Sequence, residues 1–269
     1  MLAPIGRLLA ACVAMQRIAN RGGMSMCTNF VATSRSRYAE RLGSAPPDSE
    51  WPAEIYCDYP APFIRRGAGG DRESLLGSFG IRLQAKIGKF KFDTMNARSE
   101  TTGQKASFKD SWHACRFAIV PAEVIYEPRY PPLPDLEGPN RADLVRKVLK
   151  DKSERWRIEL ASGAPCAVAG LWKPWPEPDG AVTYGFTMLT VNADGHPFLS
   201  QFHRHLEADG SPNEKRGVVI LLPDQYDDWL GCTDPEQART FLSLLPPGAY
   251  RGSPARRLPR RKEPDADSE

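Results

Sequence analysis

Trp156-Arg157-Ile158-Glu159-Leu160, Cys166-Ala167-Val168-Ala169-Gly170-Leu171-Trp172 and Tyr184-Gly185-Phe186-Thr187-Met188-Leu189-Thr190-Val191 decide the fold. The first alternates in the period of a half-buried strand, and the others are short apolar runs of strand length. Gly163-Ala164 and the Pro/Gly-rich stretch 174–180 separate them as turns. Short strands joined by turns of this kind form hairpins. The expectation is an α+β single domain: a mostly antiparallel, barrel-like β core with short peripheral helices.

Working outward, further strands are expected at 29–32, 116–121 and 218–222, and another at 75–83. Segment 55–64 mixes aromatics with prolines and suggests an irregular strand at a sheet edge. Short helices are expected at 34–43, 108–115, 224–230 and 237–244. Gly67-Ala68-Gly69-Gly70 is a turn; no Lys-Ser/Thr follows it at the spacing of a phosphate loop. Segment 129–152 is Pro-rich and then basic and amphipathic, and reads as an insertion or lid. With 25 prolines among 269 residues, many loops are expected. The domain is expected over 27–246, preceded by an extension, 1–26, that is a start called too early or a removed segment. Residues 247–269 are expected to be a disordered tail, basic and then acidic.

The net charge of +3 comes from the two ends, since 27–250 carries 27 basic and 29 acidic residues. A nucleic-acid partner would therefore need a local basic groove. The six cysteines and four histidines show no metal-ligand spacing, so no metal and no cofactor is expected. Reduced thiols, no membrane span, a cytoplasmic site (at the nucleoid if bacterial) and a monomer complete this expectation.

Chemistry concentrates in a few places. Met26-Cys27 is unusual because a chain trimmed to begin at Cys27 would carry an α-amine and a thiol on adjacent carbons. Both groups are partly in their reactive forms near neutral pH. Such a 1,2-aminothiol condenses with an aldehyde to an imine and closes through sulfur to a thiazolidine. Asn96 and Arg98 lie in the compact polar stretch 94–101, which also reads as a capped helix start. Glu127 closes an apolar strand before Pro128, and the sequence alone assigns it to the surface rather than to a desolvated acid of raised pKa. His203 and His205 sit two residues apart, and an unassigned histidine is more often structural than catalytic.

Met26-Cys27-Thr28-Asn29-Phe30, Met95 to Thr101, Val120-Pro121-Ala122-Glu123 through Tyr126-Glu127-Pro128, and Leu189 to Asp194 through Phe202-His203 to Lys215-Arg216 together resemble the SOS-response-associated peptidase (SRAP) family of abasic-site-processing proteins. Ala169 to Trp172 and Tyr226 to Leu230 also fit, so the resemblance runs collinearly over roughly 27–245. It implies covalent capture of the ring-opened abasic sugar in single-stranded DNA by an N-terminal Cys27, as a thiazolidine crosslink that shields the lesion. Removal of everything before Cys27 is required, which is the peptidase step of the family's name. The resemblance makes Asn96 the residue that orients cysteine and sugar, Glu127 the proton handler, and His203 the helper of sugar ring opening. Arg98 would pair with a backbone phosphate, and Phe79 would be a stacking platform. Three positions depart from the family pattern. Cys27-Thr28-Asn29 stands where many members have Cys-Gly-Arg, with Arg35 or Arg37 as substitutes; Phe79 stands for a tryptophan; and no methionine follows Arg216. Two other readings compete: a thiol peptidase built on Cys27, His203 and Asn96, and a non-catalytic single-strand-binding module.

Overall fold

The computed structural model describes residues 29–81 and 94–256. The extension 1–26, Cys27, Thr28 and the final stretch 257–269 lie outside the described residues.

The organising strand is β6, Phe117–Arg129, whose first half is a continuous apolar run and whose second half alternates. The named strands before it are β1 (Asn29–Ala32), β2 (Glu54–Tyr56), β3 (Pro60–Arg66), β4 (Arg72–Phe79) and β5 (Asn96–Arg98). After it come β7 (Glu154–Leu160), β8 (Cys166–Pro176), β9 (Val182–Asn192), β10 (Arg216–Val218), β11 (Ile220–Leu221) and β12 (Tyr250–Pro254). Strands β3, β4, β9, β8 and β6 close on one another as a five-stranded barrel. Its single parallel seam is β4 with β9, where Phe79 lies opposite Phe186. The α+β, barrel-like expectation holds.

Both faces of the β6–β8 wall are buried, which is why its sequence reads as unbroken apolar runs. Phe30, Phe63, Phe79, Val120, Phe186 and Met188 fill one core. Phe117, Ile119, Leu171 and Leu189 face a second core outside the barrel, under Trp112 and Trp229. Those tryptophans come from two short helices, α2 (Lys109–His113) and α4 (Tyr226–Gly231); α1 (Arg35–Leu42), α3 (Arg141–Val148) and α5 (Pro235–Ala238) complete the set among the described residues. The Trp229 indole N–H donates to the Ala118 carbonyl at 2.8 Å, so its polar edge is satisfied in the core. Gly170 permits the tight β8–β9 crossing: a Cβ there would sit 2.4 Å from the Thr187 carbonyl oxygen.

Four expectations are corrected. Segment 55–64 is two strands, and the second, β3, lies inside the barrel wall. Its ladder to β6 is confined to Ile64 opposite Ile119, so Pro60 and Pro62 fall where no N–H is required on that side. Segment 94–101 opens as the short strand β5, laid parallel to β9, and not as a helix. The final helix shrinks to α5, capped by the Asp234 carboxylate on the Glu236 N–H, and a 3-10 turn at Arg239–Phe241. The domain also runs past 246, because β12 pairs with β7 from Tyr250 opposite Leu160 to Pro254 opposite Trp156. Tyr250 is buried with its ring stacked on Phe198, an anchor that the basic, proline-rich surroundings disguise.

Candidate active site

In the second half of β6, alternation sends Ile125 and Glu127 to one face, opposite Ile158 and Trp156 of β7. Glu127 is only 7% exposed, so the surface assignment made from sequence is wrong. The segment carrying Phe202 and His203 covers it. Arg129 pairs with Phe202, and the His203 N–H donates to the Pro128 carbonyl at 2.7 Å. His203 takes a left-handed backbone, φ +66°, which is uncommon for a non-glycine residue. That turn directs its ring inward, and Nε2 lies 3.6 Å from Glu127 Oε2.

The His203 Nε2 also lies 3.2 Å from the Arg216 carbonyl oxygen. A carbonyl only accepts, so Nε2 carries a hydrogen in this contact. Glu127 Oε2 receives no hydrogen bond among the described residues. Burial pushes the Glu127 carboxyl well above the ordinary glutamate value. The pair lines a small cavity whose remaining walls are mainly apolar, among them Ile125, Ile158 and Phe202. A carboxyl of raised proton affinity beside an imidazole has the residue types and the proximity of a general acid–base pair.

A basic, ion-paired cluster adjoins the pair. Lys215 donates from Nζ to the carbonyls of His203 and Arg204 at 3.0 and 2.6 Å, and burial lowers its pKa to about 8, against the opposing pull of Asp194. Arg216 is buried and holds Glu100 through both terminal nitrogens at 2.8 and 3.0 Å. It also donates to Glu214 at 2.6 Å and to the Thr190 carbonyl at 2.7 Å. Arg98 joins this chain by donating to Glu214 at 2.7 Å. Asn96, buried two residues earlier on β5, lies opposite Met188, as Arg98 lies opposite Thr190.

At the start of β1, the Asn29 amide and the Arg155 guanidinium both donate to the Glu54 carboxylate, which the Tyr56 hydroxyl also reaches at 2.7 Å. Asn29 lies opposite Tyr126, the residue before Glu127. The beginning of β1 is thus held against β6 one residue in register from Glu127.

Of the sequence-derived site residues, Glu127 and His203 meet directly, and Arg98 connects to them through Glu214 and Arg216. Cys27 lies outside the described residues. His205 is turned elsewhere, its Nε2 3.0 Å from the Pro131 carbonyl. Phe79 does not offer a stacking face. It is fully buried, edge-on to Phe30 at 5.1 Å and stacked on Phe186 at 5.6 Å. The roles of Lys215, Glu100, Glu214, Glu54 and Arg155 were missed. Glu214 and Lys215 had a sequence signal in the Glu214-Lys215-Arg216 triplet running into an apolar strand, and Glu100 in the polar stretch 94–101. Among the described residues no group of three or more His, Cys, Asp or Glu side chains is placed to hold a metal ion. No helix among them is long and apolar enough to cross a membrane.

The family model for the SOS response associated peptidase (SRAP) matches residues 26–254. The chain belongs to the SRAP family. The abasic site processing protein YoqW of Bacillus subtilis (strain 168) is 29% identical over 160 residues, covering 59% of this SRAP chain and 58% of that protein. The abasic site processing protein YobE of the same organism is 28% identical over 160 residues, 59% of each chain. The SRAP chain thus spans less than two thirds of the curated relatives it matches. Among solved structures, a Bordetella bronchiseptica protein aligns with a TM-score of 0.69 at 30% identity, covering 86% of the SRAP chain and all of that one. A Bacteroides thetaiotaomicron protein, at 16% identity and a TM-score of 0.60, covers 86% and 92% and shares the fold.

Proposed function

We propose that this SRAP protein processes abasic sites in single-stranded DNA, trapping the ring-opened sugar aldehyde on an N-terminal Cys27 as a thiazolidine. The observation that carries the reading is the buried Glu127–His203 pair beside the start of β1. Asn29 is two residues from Cys27, so the covalent chain keeps the thiol-bearing residue within about 7 Å of Asn29. The relatives named abasic site processing proteins supply the substrate class.

The raised pKa of Glu127 suits the chemistry. The Cys27 α-amine adds to the aldehyde carbon, giving a carbinolamine. Protonated Glu127 gives its proton to the hydroxyl, which leaves as water and yields an iminium. The thiol then passes its proton to the Glu127 carboxylate, and sulfur bonds to the same carbon. One water is lost overall, and Glu127 ends as it began. His203 assists the earlier opening of the sugar ring and stabilises the developing oxyanion, and Asn96 orients cysteine and sugar. Arg98 is the phosphate partner, its guanidinium held meanwhile by Glu214.

The test uses a chain beginning at Cys27 and an oligonucleotide with one abasic site, read on a denaturing gel. A heat-stable adduct is expected, absent after Cys27→Ser. His203→Ala and Glu127→Gln should slow its formation by about 10²–10⁴-fold. An adduct that forms equally well after acetylation of the α-amine contradicts the reading, because a plain thiol reaction needs no amine.

A further inference from the structure

With Phe79 sealed in the core, a stacking surface for single-stranded DNA has to lie elsewhere. Resting on the function proposed above, we infer that Trp156 and Arg129 form the platform for a base next to the lesion. Trp156 is the direct cross-strand partner of Glu127, so its ring shares the face that carries the Glu127–His203 pair. The ring is half-buried and lies 6.1 Å from Phe202, the neighbour of His203. Its indole N–H donates to Glu154 at 2.7 Å, which fixes its orientation.

Arg129 continues the same face of β6, two residues beyond Glu127, and its guanidinium lies 4.3 Å over the Trp156 ring. Its backbone is tied to Phe202 by an isolated bridge. The surrounding arginines are neutralised: Arg155 by Glu54, Arg157 by Glu159, Arg98 and Arg216 by Glu214 and Glu100. Arg129 makes no ion pair among the described residues. A guanidinium stacked on an indole next to the Glu127–His203 pair, with the Glu154 carboxylate across the strand from it but not ion-paired to it, offers a plane for a base and a positive charge for its phosphate. The chemistry fits a single strand, in which bases are free to stack outward.

Fluorescence anisotropy with a lesion-free oligothymidine reads this contact without any covalent step. Trp156→Ala should weaken binding about 5- to 150-fold, the range for loss of one stacked base. Trp156→Phe should recover part of the loss, which a merely unfolded variant would not allow. Arg129→Gln should flatten the dependence of log affinity on log salt by about 0.7. Equal oligothymidine affinity for wild type and Trp156→Ala overturns the platform and leaves the crosslinking reading intact. Failure of the wild-type chain to form an abasic-site adduct overturns that reading, and the platform with it.

Discussion

Phe79 and Glu127 are almost equally hidden, the one inside the barrel and the other near the end of β6. Phe79 is surrounded by rings that want the same environment. Glu127 has an apolar cavity, an imidazole 3.6 Å away, and an oxygen with no hydrogen bond among the described residues. Burial stabilises the first and penalises the charged form of the second. Buried space filled with rings holds the protein together, and buried space holding a carboxyl of raised pKa beside an imidazole is the mark of a candidate site for proton chemistry.

The largest effect should come from the apolar side of this contrast. Phe79→Ala should cost about 3–5 kcal/mol, as large-to-small core substitutions do, measured by urea unfolding. Its folded fraction should bind oligothymidine with unchanged affinity; a specific loss of binding would restore the stacking role that the sequence suggested.

Arg216→Ala should come next. It strips a buried partner from Glu100, Glu214 and the Thr190 carbonyl, at a cost of about 3 kcal/mol. Since Glu100 and Glu214 remain partly solvated, the lower end of the usual range is expected. A loss below about 1 kcal/mol would show that the ion chain is held in place by its surroundings and contributes little.

Glu127→Gln should have the smallest effect and the opposite sign. Its carboxyl binds a proton more tightly folded than unfolded, so its contribution to stability falls as pH rises above the ordinary value of 4.5. The amide variant should therefore be more stable than wild type at pH 7 and equal to it at pH 4. The gain at pH 7 should be about 1.4 kcal/mol for each tenfold difference in proton affinity between the folded and unfolded states. A destabilised Glu127→Gln at pH 7 would mean that a charged Glu127–His203 pair stabilises the fold.

The same contrast explains what the sequence reveals. The barrel was legible because β6, β8 and β9 carry apolar runs of strand length between Gly and Pro turns. Helix α1 was legible too, ending at Gly43 with its left-handed φ of +63°. Strand β12 was not, since its anchor is the single ring of Tyr250 among proline and arginine. Glu127 misled because burial at a strand end depends on what crosses it, here a segment more than seventy residues later. The identities of Glu127, His203, Asn96 and Arg98 came from resemblance to a family. The local pattern showed only that Glu127 closes an apolar strand before Pro128. The Trp156–Arg129 stack depends on β6–β7 register, which no local pattern reveals.

The most direct measurement is the intact mass of the chain beginning at Cys27 after incubation with an abasic-site oligonucleotide, across pH, for wild type and Glu127→Gln. The expected product carries one oligonucleotide with the loss of one water, and it forms far more slowly in Glu127→Gln at neutral pH. An unchanged protein mass, or equal rates in the two proteins at every pH, would contradict the crosslinking reading.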